Sequence, residues 1–343
     1  LIQMMLFGYA INMEVEHVPT VVLNEDRRTA SQELIDGLGQ TTYMQVNKLV
    51  NSKQELIDQI RRGRSQVGVV IPPDYSDKVN QGQPTTFQVL VDGSDSNIAT
   101  QVLSVSTQYA SVASQRKLAE KSPGAVTPEA AIQAATHVLY NPDLRTQVFT
   151  IPGLLGVVLL NTTLFLTVLS LVREREYGTM DQLLVTPLTP SGLIVGKIAP
   201  YVLLGLFDFN LVLAAMVFLF QVPIAGSVWL LELCAFLFLS NTLGIGLLIS
   251  ARSSNQLQAA QISQLIILPS ILLSGFAFSI QAMPPVMQFI SHTMPMTYFL
   301  EVLRGIILRG ANLYDLLFPI GMMVLLGFTI LISSIISFKR QMS

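Results

Sequence analysis

Five apolar runs, at about 151–172, 198–220, 228–250, 262–280 and 315–338, constrain this chain more than any other feature. Each is near the ~20 residues that an α-helix needs to cross the hydrocarbon core of a bilayer. No water satisfies backbone N–H and C=O groups in that core, so such runs fold as helices. The distribution of charge agrees with this. Only 12% of the 343 residues are charged, against about 25% in soluble domains. Residues 1–150 hold 12 of the 20 Lys/Arg and 15 of the 22 Asp/Glu, which leaves 8 and 7 for the longer remainder. The pattern is a soluble domain followed by a membrane domain.

Residues 1–13 (LIQMMLFGYAINM) are also apolar, and Glu14 and Glu16 follow them. A helix of that length covers about 20 Å, short of the ~30 Å core. No basic stretch precedes it and no small-residue cleavage site follows, so a signal peptide is the weaker reading. Residues 1–17 are read instead as a first transmembrane helix, truncated in this numbering. The expected fold is therefore an α-helical polytopic membrane protein of six transmembrane helices. A soluble α/β domain, residues 18–148, is inserted between the first two, and residues 149–343 carry helices two to six.

Within 18–148, β-rich runs recur at Thr20–Leu23, Tyr43–Val46, Val67–Ile71, Thr86–Val91 and Thr136–Tyr140. Helix-start signals lie between them. One helix begins near Ser31. Ser52 with Glu55 three residues later is a capping box. Pro73-Asp74 opens a short helix, and Asp92-Gly-Ser-Asp95 ends a strand and caps a long polar helix over roughly 95–121. Strands alternating with helices predict a sheet with parallel pairing. The stretch 281–314 contains Pro284-Pro285 and Pro295, yet Val286–Ile290 and Tyr298–Leu308 are amphipathic. It is expected to form short re-entrant helices in the outer leaflet.

Lys and Arg in short loops orient membrane proteins, with the richer side cytoplasmic. Arg173, Arg175, Lys197, Arg252, Lys339 and Arg340 fall on one side if spans alternate, and Arg304 and Arg309 on the other. The loop 173–197 and the C-terminus are thus expected in the cytoplasm and residues 18–148 outside. Large translocated domains escape the charge rule, so the basic residues of 18–148 do not oppose this.

The loop reads Arg173-Glu-Arg-Glu-Tyr-Gly-Thr-Met-Asp-Gln-Leu-Leu-Val-Thr-Pro187-Leu-Thr-Pro190. It is a charged helix end, a glycine break and a short amphipathic segment that prolines terminate. Two physical readings stay open: a docking surface for a cytoplasmic partner, or an interfacial helix that only anchors the loop. This loop, followed by Gly-Lys-Ile-x-Pro-Tyr at 196–201, resembles the type-2 ABC transporter permeases. The nearer likeness is to the branch with a large extracytoplasmic domain after the first helix. Phe7–Ala10, the turn Asp92–Asp95, the five later spans and Met294-Pro-Met-Thr-Tyr298 before Leu303-Arg304-Gly305 extend the resemblance over most of the chain.

The resemblance implies an exporter permease of the bacterial inner membrane, paired with a second permease subunit as homo- or heterodimer. It implies two cytoplasmic ABC ATPase subunits and, in the drug-exporter-like branch, a periplasmic adaptor. Arg173, Glu174, Arg175, Glu176, Gly178, Thr179, Asp181 and Leu184 would form the ATPase-coupling loop. ATP and Mg²⁺ would belong to the partner ATPase, with no cofactor in this chain. Gly192-Leu-Ile-Val-Gly196-Lys197-Ile198 is no phosphate loop: it has three residues between its glycines and lacks the Ser/Thr that holds Mg²⁺. Nothing in the sequence resembles a catalytic constellation, so the chain is not expected to be an enzyme by itself.

Polar residues inside spans cost about 2.5–3.5 kcal/mol at the centre when charged, so each needs an account. Asp208 is either a point on the translocation path, with a proton to carry, or a structural hydrogen-bond partner of Asn161, Thr162 or Asn241. Gln256, Gln258, Gln261 and Gln264 either line an inner vestibule or bond between helices. The candidate path is Asn161, Asp208, Gln261 and Gln264. Asp92, Asp95 and Asn97 lack Ca²⁺-loop spacing and read as a turn with a helix cap. Cys234 alone permits no internal disulfide, and His17, His137 and His292 are scattered, so no metal site is expected. No basic patch points to nucleic acid.

Overall fold

The computed structural model describes residues 15–121, 132–177 and 190–342. The chain divides into two compact units, Asn12–Phe149 and a second that includes Thr150–Ser343. The first-span reading of residues 1–17 falls almost wholly outside the described residues.

The first unit is a five-stranded sheet: β1 (Val18–Asn24), β2 (Met44–Val50), β3 (Val67–Ile71), β4 (Thr85–Asp92) and β5 (Ile132–Leu139). Their order is β2-β1-β3-β4-β5. β1 is parallel to both β2 and β3, and β4 is parallel to β5; β3 and β4 are antiparallel. Thr20 therefore lies opposite Val67, Val67 opposite Val91, and Val91 opposite Val138. The start of β1 and the end of β5 share one end of the sheet. All five β-rich runs are strands. All but β3 are longer than their composition suggests, because neighbours set their length: β5 pairs with β4 from Ile132 opposite Thr85 onward.

Four helices connect the strands: α1 (Thr29–Gln40), α2 (Lys53–Arg61), α3 (Tyr75–Gln81) and α4 (Ser96–Lys121). The Asp95 carboxylate accepts the N–H groups of Asn97 (3.0 Å) and Ile98 (3.3 Å), which caps α4 as its sequence predicts. The capping box of α2 forms only in part. Ser52 Oγ accepts the Glu55 N–H at 3.2 Å, but the Glu55 carboxylate turns outward to Lys48 Nζ (2.7 Å) and the Asn51 N–H (3.5 Å). A lysine on the adjacent strand outcompetes a local backbone donor, since the ion pair is charge-assisted.

α2 buries Leu56 and Ile60 against Val21, Leu23, Val70 and Leu90. The helix comes so close that a Cβ on Gly68 would stand 2.4 Å from Leu56 Cδ2. Glycine in the middle of a short strand is costly in entropy, and here it makes room for the helix.

The second unit holds five helices long and apolar enough to span: Thr146–Glu174, Ala199–Phe218, Val228–Arg252, Gln256–Leu273 and Leu313–Ser334. The helices that contain the first four are α5 (Thr146–Glu176), α6 (Pro190–Phe218), α7 (Val228–Arg252) and α8 (Gln256–Leu273). The short helices α9 (Pro285–Ser291) and α10 (Pro295–Ile307) follow, and α11 (Leu317–Met342) completes the fifth. The fourth run is displaced from its expected bounds of 262–280. Asn255 caps α8 at its start by accepting the Gln258 N–H at 2.8 Å. Ser274 and Gly275, the latter at φ +87°, end it before residue 280.

α7 and α11 pack closely because glycines on each helix make room for larger side chains of the other. A Cβ on Gly244 would lie 2.7 Å from Ile330 Cγ2. Asn241 Nδ2 donates to Met323 O at 3.2 Å, and Ser334 Oγ to Gly244 O at 2.8 Å. The exposed face of α6, with Leu203, Leu204, Phe207 and Leu211, is apolar as a lipid-facing surface must be. Of the two short amphipathic helices read at 281–314, only α9 is a surface helix, with Val286 and Phe289 exposed. α10 is buried along most of its length, and Phe299 stacks on Phe238 of α7 at 4.1 Å. The sequence alone could not give that partner.

Gly68→Val should push α2 off the sheet, at about 1–3 kcal/mol for an overpacked core. Hydrogen exchange on the intact protein should then speed up at β1 and β3 amides, with α7 and α11 unaffected. Unchanged exchange at β3 would refute the steric account.

Candidate coupling and translocation site

α5 is apolar up to Val172 and then carries Arg173-Glu-Arg-Glu176. Its apolar part joins a seam in which Leu164, Val168 and Val172 meet Ile249 of α7 and Ala259 and Ile267 of α8. The charged turn therefore projects from a packed three-helix edge. The Arg173 guanidinium lies 5.6 Å from the centroid of the Tyr177 ring, a cation–π contact on an exposed tyrosine. Arg175 continues the helix.

Glu176 turns toward α8. Its Oε1 accepts the backbone N–H of Gln256 at 2.8 Å, and Oε2 accepts from Gln256 Nε2. Gln256 is the first residue of α8, and its N–H is one of four that a helix leaves without an internal acceptor. Asn255 satisfies another of the four. The carboxylate also sits at the positive end of the helix dipole. The two bonds from Gln256, side chain first, hold the Glu176 carboxyl below the usual glutamate range. The direction of this shift decides how the tie responds to pH. A depressed folded-state value means the tie is fully formed above the unfolded value and is lost as pH falls through the folded one.

Tyr201, the last residue of the Gly-Lys-Ile-x-Pro-Tyr motif, donates to Ser170 Oγ of α5. One motif half is thus bound to the helix that carries the other. Gly178, Thr179, Asp181 and Leu184 lie outside the described residues.

Of the residues read as a path, Asp208 is half-buried, and its Oδ2 accepts from Thr162 Oγ1 at 2.7 Å. Thr162 also donates to Val158 O at 2.9 Å, so its one proton is shared. Asn161, Gln261 and Gln264 are exposed on their helices. Asn241 is committed to α11 and does not serve Asp208. Among the described residues no three His, Cys, Asp or Glu side chains converge as a metal site would require. Sequence reasoning missed Gln256 as the partner of Glu176 and Ser170 as the partner of Tyr201.

The sequence matches the family described as ABC-2 family transporter protein over residues 1–336. It is 33% identical over 312 residues to the "Probable multidrug ABC transporter permease YbhS" of Escherichia coli (strain K12), covering 90% of this chain and 82% of that one. It is 32% identical over 313 residues to "Probable multidrug ABC transporter permease YbhR" of the same organism, covering 91% and 84%. A more distant relative is "ABC transporter G family member 20" of Dictyostelium discoideum, 24% identical over 325 residues, with 91% of this chain and 43% of the relative covered. The chain belongs to the ABC-2 transporter family.

Two outcomes follow from this geometry. A carbon-13 titration of Glu176 should give a midpoint below the ordinary glutamate range, and Gln256→Ala should raise it, because the leading cause of the depression is gone. An unmoved midpoint would disprove the tie. Thr162→Val should cost about 1–3 kcal/mol by stripping the donor from Asp208, read as a lower melting temperature in detergent. A neutral effect would mean that Asp208 has another partner.

Proposed function

We propose that this ABC-2 family chain is the membrane-spanning permease subunit of an ATP-driven exporter. In this reading it moves a drug-like, amphipathic or lipid-like molecule outward across the bacterial inner membrane. Family membership carries the permease reading. The substrate class draws support from the relatives YbhS and YbhR, whose names say multidrug. ATP and Mg²⁺ would be held by two separate cytoplasmic ABC ATPase subunits, a reading supported by relatives whose names say permease.

The single observation that ties the permease reading to a mechanism is the charged end of α5. It projects from a packed edge of the membrane unit, and Glu176 joins it to the start of a second spanning helix. The loop 173–197 would receive the push of the closing ATPases on the cytoplasmic side. Residues 18–148 would stand outside and present a surface to a periplasmic adaptor, and the C-terminus would be cytoplasmic. A first span over residues 1–17 would complete six.

Asn161, Gln261 and Gln264 are polar groups on the exposed faces of spanning helices. Lipid gives them no partner. We read these faces as the junction with a second permease subunit, and the translocation path as the space between the two. Asp208 differs from them. Its bond to Thr162 supports a structural role over proton carriage. A proton-coupled transporter or a non-transporting sensor would leave the charged loop unexplained.

Proteoliposomes with and without the co-purified ATPase subunit test the reading. Transport should require that subunit and ATP. Glu174→Ala should keep ATP hydrolysis while transport per ATP falls by about tenfold, the size of an ordinary coupling energy. Transport sustained by a proton gradient alone would overturn the proposal.

A further inference from the structure

We infer that Glu176 is a positioning residue that hands displacement of the loop to α8, the helix whose exposed face carries Gln261 and Gln264. This inference rests on the permease reading above and adds to it the route by which force travels inside the chain. Within that loop, Glu176 is expected from sequence to face the ATPase. Instead both its carboxylate oxygens are engaged within the chain by Gln256, 80 residues away.

Three observations give the tie mechanical meaning. Helix caps are nearly always local, as Asn255 is for α8. A cap supplied by another helix exists only while the two helix ends keep their spacing. Displacing the end of α5 must either drag the first turn of α8 or expose its N–H groups. Next, Ala259, one turn into α8, is fully buried in the seam with Val168 and Val172, so the same turn is gripped by packing as well as by hydrogen bonds. Finally, the far end of α8 is anchored separately. Arg304 Nη1 donates to Gly275 O at 3.1 Å, just past the helix. Between the two anchors lies Pro269, inside the helix. It has no N–H to give the Leu265 carbonyl, so α8 bends there at low cost.

Force applied at the first turn thus swings residues 256–268 about Pro269, and Gln261 and Gln264 move with them. Glu176 need not touch the transported molecule or the ATPase for this. A glutamate carboxylate is charged throughout the neutral range, so the tie to Gln256 is available there.

The test uses the full transporter purified with its ATPase subunit, in a Cys234→Ser background. Spin labels go on Leu257→Cys, exposed in the first turn of α8, and on Phe328→Cys, exposed on α11. In the parent, ATP with vanadate should change the distance between the labels. Glu176→Ala should abolish most of that change, and Gln256→Ala, outside the loop, should leave ATP turnover within about twofold of the parent. Glu176→Gln keeps an acceptor for the Gln256 N–H and should restore part of it. Gln256→Ala approaches the tie from α8, far in sequence from the loop, and should reproduce a partial loss. A normal distance change in Glu176→Ala overturns the inference. So does an indifferent Gln256→Ala together with a Glu176→Ala that no longer co-purifies with the ATPase, because that pair of results assigns Glu176 to the ATPase contact. A parent that binds no ATPase and shows no ATP-driven change sinks the permease reading itself, and this inference with it.

Discussion

The absence of water in the bilayer core governs most of what this chain does with its polar groups. Backbone amides are spent inside helices, and each buried side-chain donor or acceptor must find a partner in the protein. Asn241 and Ser334 meet carbonyls across the α7–α11 contact, and Thr162 meets Asp208 across α5 and α6. Exposed helix ends form junctions for a separate reason, since a helix leaves its first N–H groups without internal acceptors. The first turn of α8 has donors left over, and two acceptors from different parts of the chain answer them. Polarity in an apolar solvent thereby becomes a set of specific junctions between helices.

Those junctions explain where sequence reasoning succeeded and where it stopped. Spans and strands are properties of local composition and period, so their existence was legible, including the caps of α2 and α4. Their ends depend on neighbours or on single backbone torsions. The fourth apolar run continues in hydropathy well past Leu273, yet Gly275 turns the chain. β5 starts where β4 offers it a partner. The burial of α10 rests on Phe238, a residue far upstream. Nothing within a window of sequence encodes such pairings.

The candidate site divides the same way. The charged turn at the end of α5 is conspicuous as a motif, and the resemblance it carries extends to the family the chain belongs to. Its wiring is not conspicuous. That Glu176 serves α8 and that Tyr201 serves Ser170 are tertiary facts. Asp208 was legible as a residue in need of a partner, and three candidates were named for it. Geometry chose Thr162 and gave Asn241 to a different helix.

The antiparallel step between β3 and β4 carries one more implication. The end of β5 leads by a short link into α5, the first described spanning helix. A wholly parallel version of this sheet would deliver the outgoing chain at the opposite edge, a strand's length away. The one reversal brings Thr20 and Val138 into line across three neighbouring strand spacings, about 15 Å at ~4.8 Å each. The domain is therefore a cassette with both leads at one terminal. It could be exchanged or lengthened over evolutionary time without changing where its two leads stand relative to each other.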